Sequence, residues 1–161
     1  MRILGIDPGF AITGYSVIDY IGNKFKLITA GSIQTKAGES FPLRLTKLYN
    51  DLEMIINEYK PDAMAVEELF FNTNIKTGIN VAQARGVILV VGSKLGVETF
   101  EYTPLQVKQA VVGYGRAEKT QVQKMVQSIL KIDKIPKLDD VTDSMAIAIC
   151  HAHSARFSEK L

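Results

Sequence analysis

The chain has 161 residues, 47% of them hydrophobic and 22% charged, with a formal net charge of +2. That length suits one well-packed domain, here residues 1–161, and is too short for two ordinary ones; the composition excludes disorder, and so small a charge does not by itself announce a nucleic-acid partner. The single cysteine, Cys150, lies in an apolar stretch, which excludes a disulfide framework and a cysteine-based zinc site.

Ile3 to Ile6 is a short apolar run that ends in one carboxylate, Asp7, and is stopped by Pro8-Gly9. It reads as a buried strand with Asp7 at its C-terminal end, where open sheets place their ligand sites. A Gly-bounded turn leads to Tyr15–Tyr20, whose alternation predicts a second strand folded back as a hairpin, and Phe25–Ile33 reads as a third. Pro42 opens the first helix, and Leu45, Leu48, Tyr49, Leu52, Ile55, Ile56 and Tyr59 give it an apolar stripe before Lys60-Pro61 ends it. Asp62–Glu67 is a fourth strand, again apolar and again ending in a carboxylate. After a polar and aromatic loop, Ile79 to Leu95 reads as a helix, with Gly86 expected to pack closely on the sheet. Val97–Tyr102 is the fifth strand. Pro104 starts a helix that Gly113-Tyr114-Gly115 interrupts, Glu118–Leu130 forms the next, and the last begins near Asp139 and runs to about Ala155, with a frayed tail from about 156. The expected fold is α/β, a five-stranded mixed sheet, antiparallel in its first three strands and parallel afterwards, flanked by helices.

No segment is apolar for long enough to cross a bilayer and no leader pattern opens the chain, so no membrane association is expected and the expected setting is cytoplasmic and reducing. Between Lys108 and Lys137, seven basic residues stand against two acidic ones, Glu118 and Asp133. They form either a solvated helix surface or a track for a phosphate backbone.

Asp7 and Glu67 end strands that a helical crossover makes parallel neighbours, so the two carboxylates lie within reach of one cation. Asp140 and Asp143 are spaced i, i+3 at a helix start and share a face. Each has an ordinary reading as well: Asp7 as an acceptor in the following turn, the helix pair as dipole partners, and Asp139 as the cap. Four carboxylates together repel and raise one another's pKa unless divalent cations neutralise them. Such hard oxygen donors suit Mg²⁺ or Mn²⁺, and two such ions bracketing a phosphodiester promote its hydrolysis. His151 and His153 lie too far along the last helix to join them and are expected to have packing or surface roles.

Gly5-Ile6-Asp7-Pro8-Gly9 with Thr13-Gly14, Ala65-Val66-Glu67 before Phe70, and Gln83-Ala84-Arg85-Gly86-Val87 together resemble the bacterial RuvC family of Holliday-junction resolvases. So do Gln106-Val107-Lys108-Gln109, Ala117-Glu118-Lys119, and Asp140-Val141-Thr142-Asp143 before Ala146-Ile147-Ala148; the likeness covers roughly 150 residues in order. It implies an RNase H-like fold, a homodimer, and paired symmetric nicks across a four-way DNA junction in recombination and repair. It also implies two Mg²⁺ ions per site, with Mn²⁺ able to substitute. Asp7, Glu67, Asp140 and Asp143 match the family's catalytic carboxylates, Lys108 and Lys119 its basic residues near the scissile phosphate, and Phe70 its base-stacking aromatic, beside which Phe71 is a second candidate. A branch-migration complex of RuvA and RuvB is the implied protein partner. Two other readings start from the same residues. Sugar kinases and actin-like ATPases also open on a strand with Asp-x-Gly, but carry a second such domain for which this chain has no room. A non-catalytic junction-binding module would leave the carboxylates only capping roles.

Overall fold

Alternation along the first strand decides the layering. In the computed structural model, which describes residues 1–69 and 75–158, β1 (Arg2–Asp7) is the middle strand of a five-stranded sheet ordered β3-β2-β1-β4-β5. Successive side chains of a strand point to opposite faces. Ile3 therefore joins one core and Leu4 and Ile6 the other, all three fully buried. A strand covered on both faces must be apolar throughout, and this is why Ile3 to Ile6 reads as an unbroken run. Burial of each such side chain contributes about 1.5–3 kcal/mol.

β2 (Ile12–Ile21) and β3 (Lys24–Gln34) are antiparallel to β1 and to each other, while β4 (Ala63–Glu67) and β5 (Glu98–Tyr102) run parallel to it. This is the mixed sheet expected from the sequence. β2 begins earlier than the alternation suggests, because pairing with β3 carries the ladder past Gly14 to Ile12↔Gln34. One face is covered by α1 (Phe41–Tyr59) and α2 (Ile75–Lys94), which pack Leu48, Leu52, Ile56, Ile88 and Val91 over Leu4, Ile6, Met64 and Val66. The other face carries α3 (Pro104–Val112), α4 (Lys119–Leu130) and α5 (Asp139–Ser158). α2 starts before Ile79, since Lys76-Thr77-Gly78 carry no apolar periodicity to mark it. α5 runs past Ala155 to Ser158, with no Gly or Pro to stop it.

The expectation for Gly86 is corrected. It is exposed, with nothing within 4 Å of where a Cβ would stand; Gly92, further along the helix, is the α2 glycine pressed against Met64 and Thr99 of the sheet.

The approach that matters for the site is on the opposite face. A Cβ on Gly5 would overlap the Ser144 carbonyl oxygen of α5 and lie 2.9 Å from the Ala148 Cβ. A Cβ on Gly14 would overlap the Asp140 carbonyl. These two glycines let the backbone of α5 rest directly on β1 and β2. Gly5→Ala is expected to lower stability by about 1–3 kcal/mol, the usual cost of overpacking. Gly38→Ala, in open space, should stay within about 0.5 kcal/mol of the parent. Urea midpoints of the two variants check this; equal midpoints would mean that α5 rides up without cost.

Candidate active site

Asp7 and Glu67 are brought side by side by strand register. β1 and β4 pair in parallel through Ile6↔Val66, so the next residue on each strand is a carboxylate. Alternation sends both to the α5 face: Asp7 follows Ile3 and Gly5, and Glu67 follows Ala65, which shares a core with Ile3. The seat of α5 on Gly14 and Gly5 then brings the first turns of that helix to the same edge, with Asp140 and Asp143 on them.

The electrostatics record the convergence. The Asp7 carboxyl is raised from 3.8 to about 8, first by burial and then by Glu67, Asp143 and Asp140, with only Lys119 acting the other way. Glu67 is raised to about 7 by burial and by Asp143, against the pull of Lys108 and Lys119. Asp143 is also raised, by burial foremost, although Lys119 opposes it. Desolvation penalises the charged form, and like charges nearby add to the penalty.

The ordinary reading of Asp7, as an acceptor in the turn that follows it, has little left to explain, because that turn is tied by other groups. The Thr13 hydroxyl donates to the Gly9 carbonyl at 2.5 Å, and the Thr35 hydroxyl to the Phe10 carbonyl at 2.6 Å. A residue that sequence reasoning passed over completes the tie. Arg44 on α1 is buried, donates through Nε to the Thr35 hydroxyl at 2.8 Å, and lies 4.4 Å above the Phe10 ring. Its signal was a cation in an apolar row: Arg44, Leu48, Leu52 and Ile56 are each four apart and all buried.

Lys108 and Lys119 line one cleft with Glu67, Asp143, Pro104 and Val107. The α3 helix that presents Lys108 is fixed at its start by a capping box, in which Thr103 and Gln106 exchange bonds of 2.8 and 3.1 Å. Lys119 opens α4, and its ammonium sits 3.2 Å from Asp143 and 3.1 Å from Asp139. Asp139, expected as a helix cap, is instead the first residue of α5 and takes Lys119 and Gln123. Glu68 turns to the other side of the sheet, beside Arg85 and Glu101, as strand alternation requires. His151 is a packing residue: it is buried against Phe100, with Nδ1 2.8 Å from the Tyr102 hydroxyl. Phe70 and Phe71 lie outside the described residues.

Among the described residues, no three His, Cys, Asp or Glu side chains stand as a ready-made cation cage. The donor chemistry nonetheless fits a hard divalent cation. Asp7, Glu67 and Asp143 are oxygen donors whose charged forms burial disfavours first and their neighbouring carboxylates second, and Lys119, which opposes the shift, is shared with Asp139.

A mixed five-stranded sheet with acidic side chains meeting at the ends of its two central parallel strands is an RNase H-like nuclease fold. The sequence pattern described as "Crossover junction endodeoxyribonuclease RuvC" matches residues 3–151, and the chain belongs to that family. It is 57% identical to the crossover junction endodeoxyribonuclease RuvC of Ruminiclostridium cellulolyticum, over 100% of this chain and 97% of that one. Its likeness to the corresponding protein of Alkaliphilus oremlandii is 55%, over 99% and 97%. Among solved structures, Thermus thermophilus RuvC in complex with a Holliday junction substrate superposes with a TM-score of 0.94 at 34% identity, covering 98% of this chain and 96% of that one. The yeast mitochondrial Holliday junction resolvase, 15% identical with a TM-score of 0.74, covers 98% of this chain and 80% of its own and shares the fold.

The raised carboxyls give a pH dependence with a definite sign. Because the fold favours neutral Asp7, its contribution to the stability of the metal-free protein is complete below the ordinary value of 3.8 and is lost as pH rises through about 8. Asp7→Asn should therefore stabilise the protein in chelator at pH 8.5 by about 1–2 kcal/mol, and much less at pH 5. Chemical denaturation at both pH values measures this; an Asn variant less stable than the parent at pH 8.5 would mean that the Asp7 charge is already compensated.

Proposed function

We propose that the chain is a structure-selective endonuclease that resolves four-way DNA junctions by paired symmetric nicks, with Asp7, Glu67, Asp140 and Asp143 as catalytic carboxylates and as ligands of two Mg²⁺ ions per site. The observation that supports this most directly is the meeting of acidic side chains from β1, β4 and α5 at one edge, with Asp7 and Glu67 raised to about 8 and about 7. Such a cluster repels a phosphodiester, so it serves hydrolysis only together with positive charge. Divalent cations bound there, Mg²⁺ or Mn²⁺, supply Lewis acidity toward the phosphate oxygens. The carboxylates hold and orient the ions. Lys108 and Lys119, across the cleft, neutralise and position the phosphate. The basic residues between Lys108 and Lys137 continue as a track for the DNA backbone. Phe70 takes a base unstacked at the junction centre.

The substrate follows from kinship. The Thermus thermophilus protein, 34% identical over nearly its whole length, has been seen with a Holliday junction substrate. A four-way junction offers two equivalent strands, which suits a two-fold homodimer with one site per protomer. The whole chain acts as one nuclease domain in the bacterial cytoplasm, and RuvA and RuvB are its expected branch-migration partners in recombination and repair.

A synthetic mobile four-way junction, incubated with Mg²⁺ or with chelator beside linear duplex of the same sequence, tests this. Paired symmetric nicks that need Mg²⁺ and spare the duplex are expected. Asp7→Asn should reduce nicking by at least about 10³-fold while junction binding in chelator persists. Tight binding with no nicks under Mg²⁺ or Mn²⁺ would leave only a binding module.

A further inference from the structure

The mouth of the cleft is built from two matched helix faces. Lys119 and Gln123 are one turn apart on α4, and Asp139 and Asp143 one turn apart on α5, so each pair presents two side chains on one line. The faces meet in register. Lys119 Nζ lies 3.1 Å from Asp139 Oδ2 and 3.2 Å from Asp143 Oδ2, and Gln123 Nε2 donates to Asp139 Oδ1 at 3.0 Å. The ammonium is thus divided between two carboxylates of different standing. Asp143 is half-buried and faces Glu67 across the cleft, whereas Asp139 is exposed at the rim. Gln123 fixes the rim carboxylate by its other oxygen, so Asp139 offers Lys119 an oriented acceptor outside the acidic cluster.

We infer that Asp139, oriented by Gln123, is a positioning residue that shares the Lys119 ammonium with Asp143, so that Asp143 does not hold it alone. Coulomb attraction in a partly buried site would otherwise leave the Lys119 ammonium wholly on Asp143. There it would compete with a divalent cation for the same oxygens. Held between the two, Lys119 can release Asp143 without leaving the cleft, and remains in reach of a phosphate. The inference rests on the reading of Asp143 as a cation ligand, and concerns how this chain keeps that ligand available.

The test uses Mn²⁺ alone, titrated calorimetrically into the full chain without DNA, so the readout does not depend on nicking. Asp139→Asn removes the charge and keeps the shape. It should weaken Mn²⁺ binding by about two- to fivefold, the scale of a partly exposed ion pair. Removing a negative charge near any cation site also weakens it directly, so the deciding comparison is made in a Lys119→Met background. There Asp139→Asn should keep only this direct effect, a smaller loss than in the parent, because no ammonium remains to be held. Gln123→Ala leaves every charge in place. It should weaken binding in the same direction by a smaller factor, again only when Lys119 is present, and it serves if Asp139→Asn folds poorly. The Mg²⁺ midpoint for nicking should rise in parallel. An equal loss from Asp139→Asn with and without Lys119, or no loss in either, overturns the positioning role while leaving the cation site standing. Absence of any Mn²⁺ binding that Asp7→Asn abolishes overturns the cation reading itself, and this inference with it.

Discussion

The site depends on how closely a helix backbone can approach a sheet. Helices normally ride on a layer of side chains, and at that distance Asp140 and Asp143 would not share an edge with Asp7. Here Gly5 and Gly14 remove that layer at two points, one under the Ser144 carbonyl and one under the Asp140 carbonyl. The first turns of α5 drop onto β1 and β2 as a result. Everything else at the site follows from that seat: two strands ending at one level, a helix start lying across them, and carboxylates on all three. The buried Ile147 and Ile149 further along α5 supply the apolar contact that holds it down.

That arrangement concentrates negative charge in a poorly solvated place, which stability alone would not select. A buried carboxylate kept partly neutral is a group that the fold tolerates and does not use for its own stability. The surrounding structure absorbs the cost. Apolar cores lie on both faces of β1 and β4, and the turn after Asp7 is tied by Thr13, Thr35 and Arg44. The Arg44 tie links α1 to the turn that follows Asp7. Its guanidinium belongs to α1, on the side away from the acidic edge, yet it stacks on Phe10, three residues beyond Asp7. A change on the α1 face can therefore reach the position of Asp7 through the turn.

Most of the architecture was legible because its causes are local and periodic. The apolar runs bounded by Pro and Gly gave the strands, Pro42 and Pro104 gave helix starts, and i, i+3, i+4 stripes gave the helices. Meeting of the carboxylates was legible as well, since parallel register is implied by a helical crossover. What sequence reading missed are contacts between elements. Gly86 and Gly92 are both glycines in one apolar helix, and only packing tells which faces the sheet. Asp139 looks like a cap because Asp favours helix starts, but Lys119 and Gln123 come to it from another helix. Arg44 was hidden because a basic residue in a helix is ordinarily solvated, and its burial depends on the Phe10 turn being there to receive it.

The opposing charges are mounted differently. Asp7 and Glu67 end central strands whose neighbours are hydrogen-bonded on both sides, so their backbone cannot shift without disturbing the sheet. Lys108 and Lys119 sit on α3 and α4, two short helices joined through Gly113, whose φ of 94° places it in the left-handed region. Both lysines also reach the cleft on long flexible stems. Two of the four carboxylates are thus placed on strands paired on both sides. The positive charge of the cleft is carried by long side chains on helices outside the sheet. The site therefore joins acidic groups on β1, β4 and α5 to basic groups on the α3–α4 pair, so that its two kinds of charge rest on different elements.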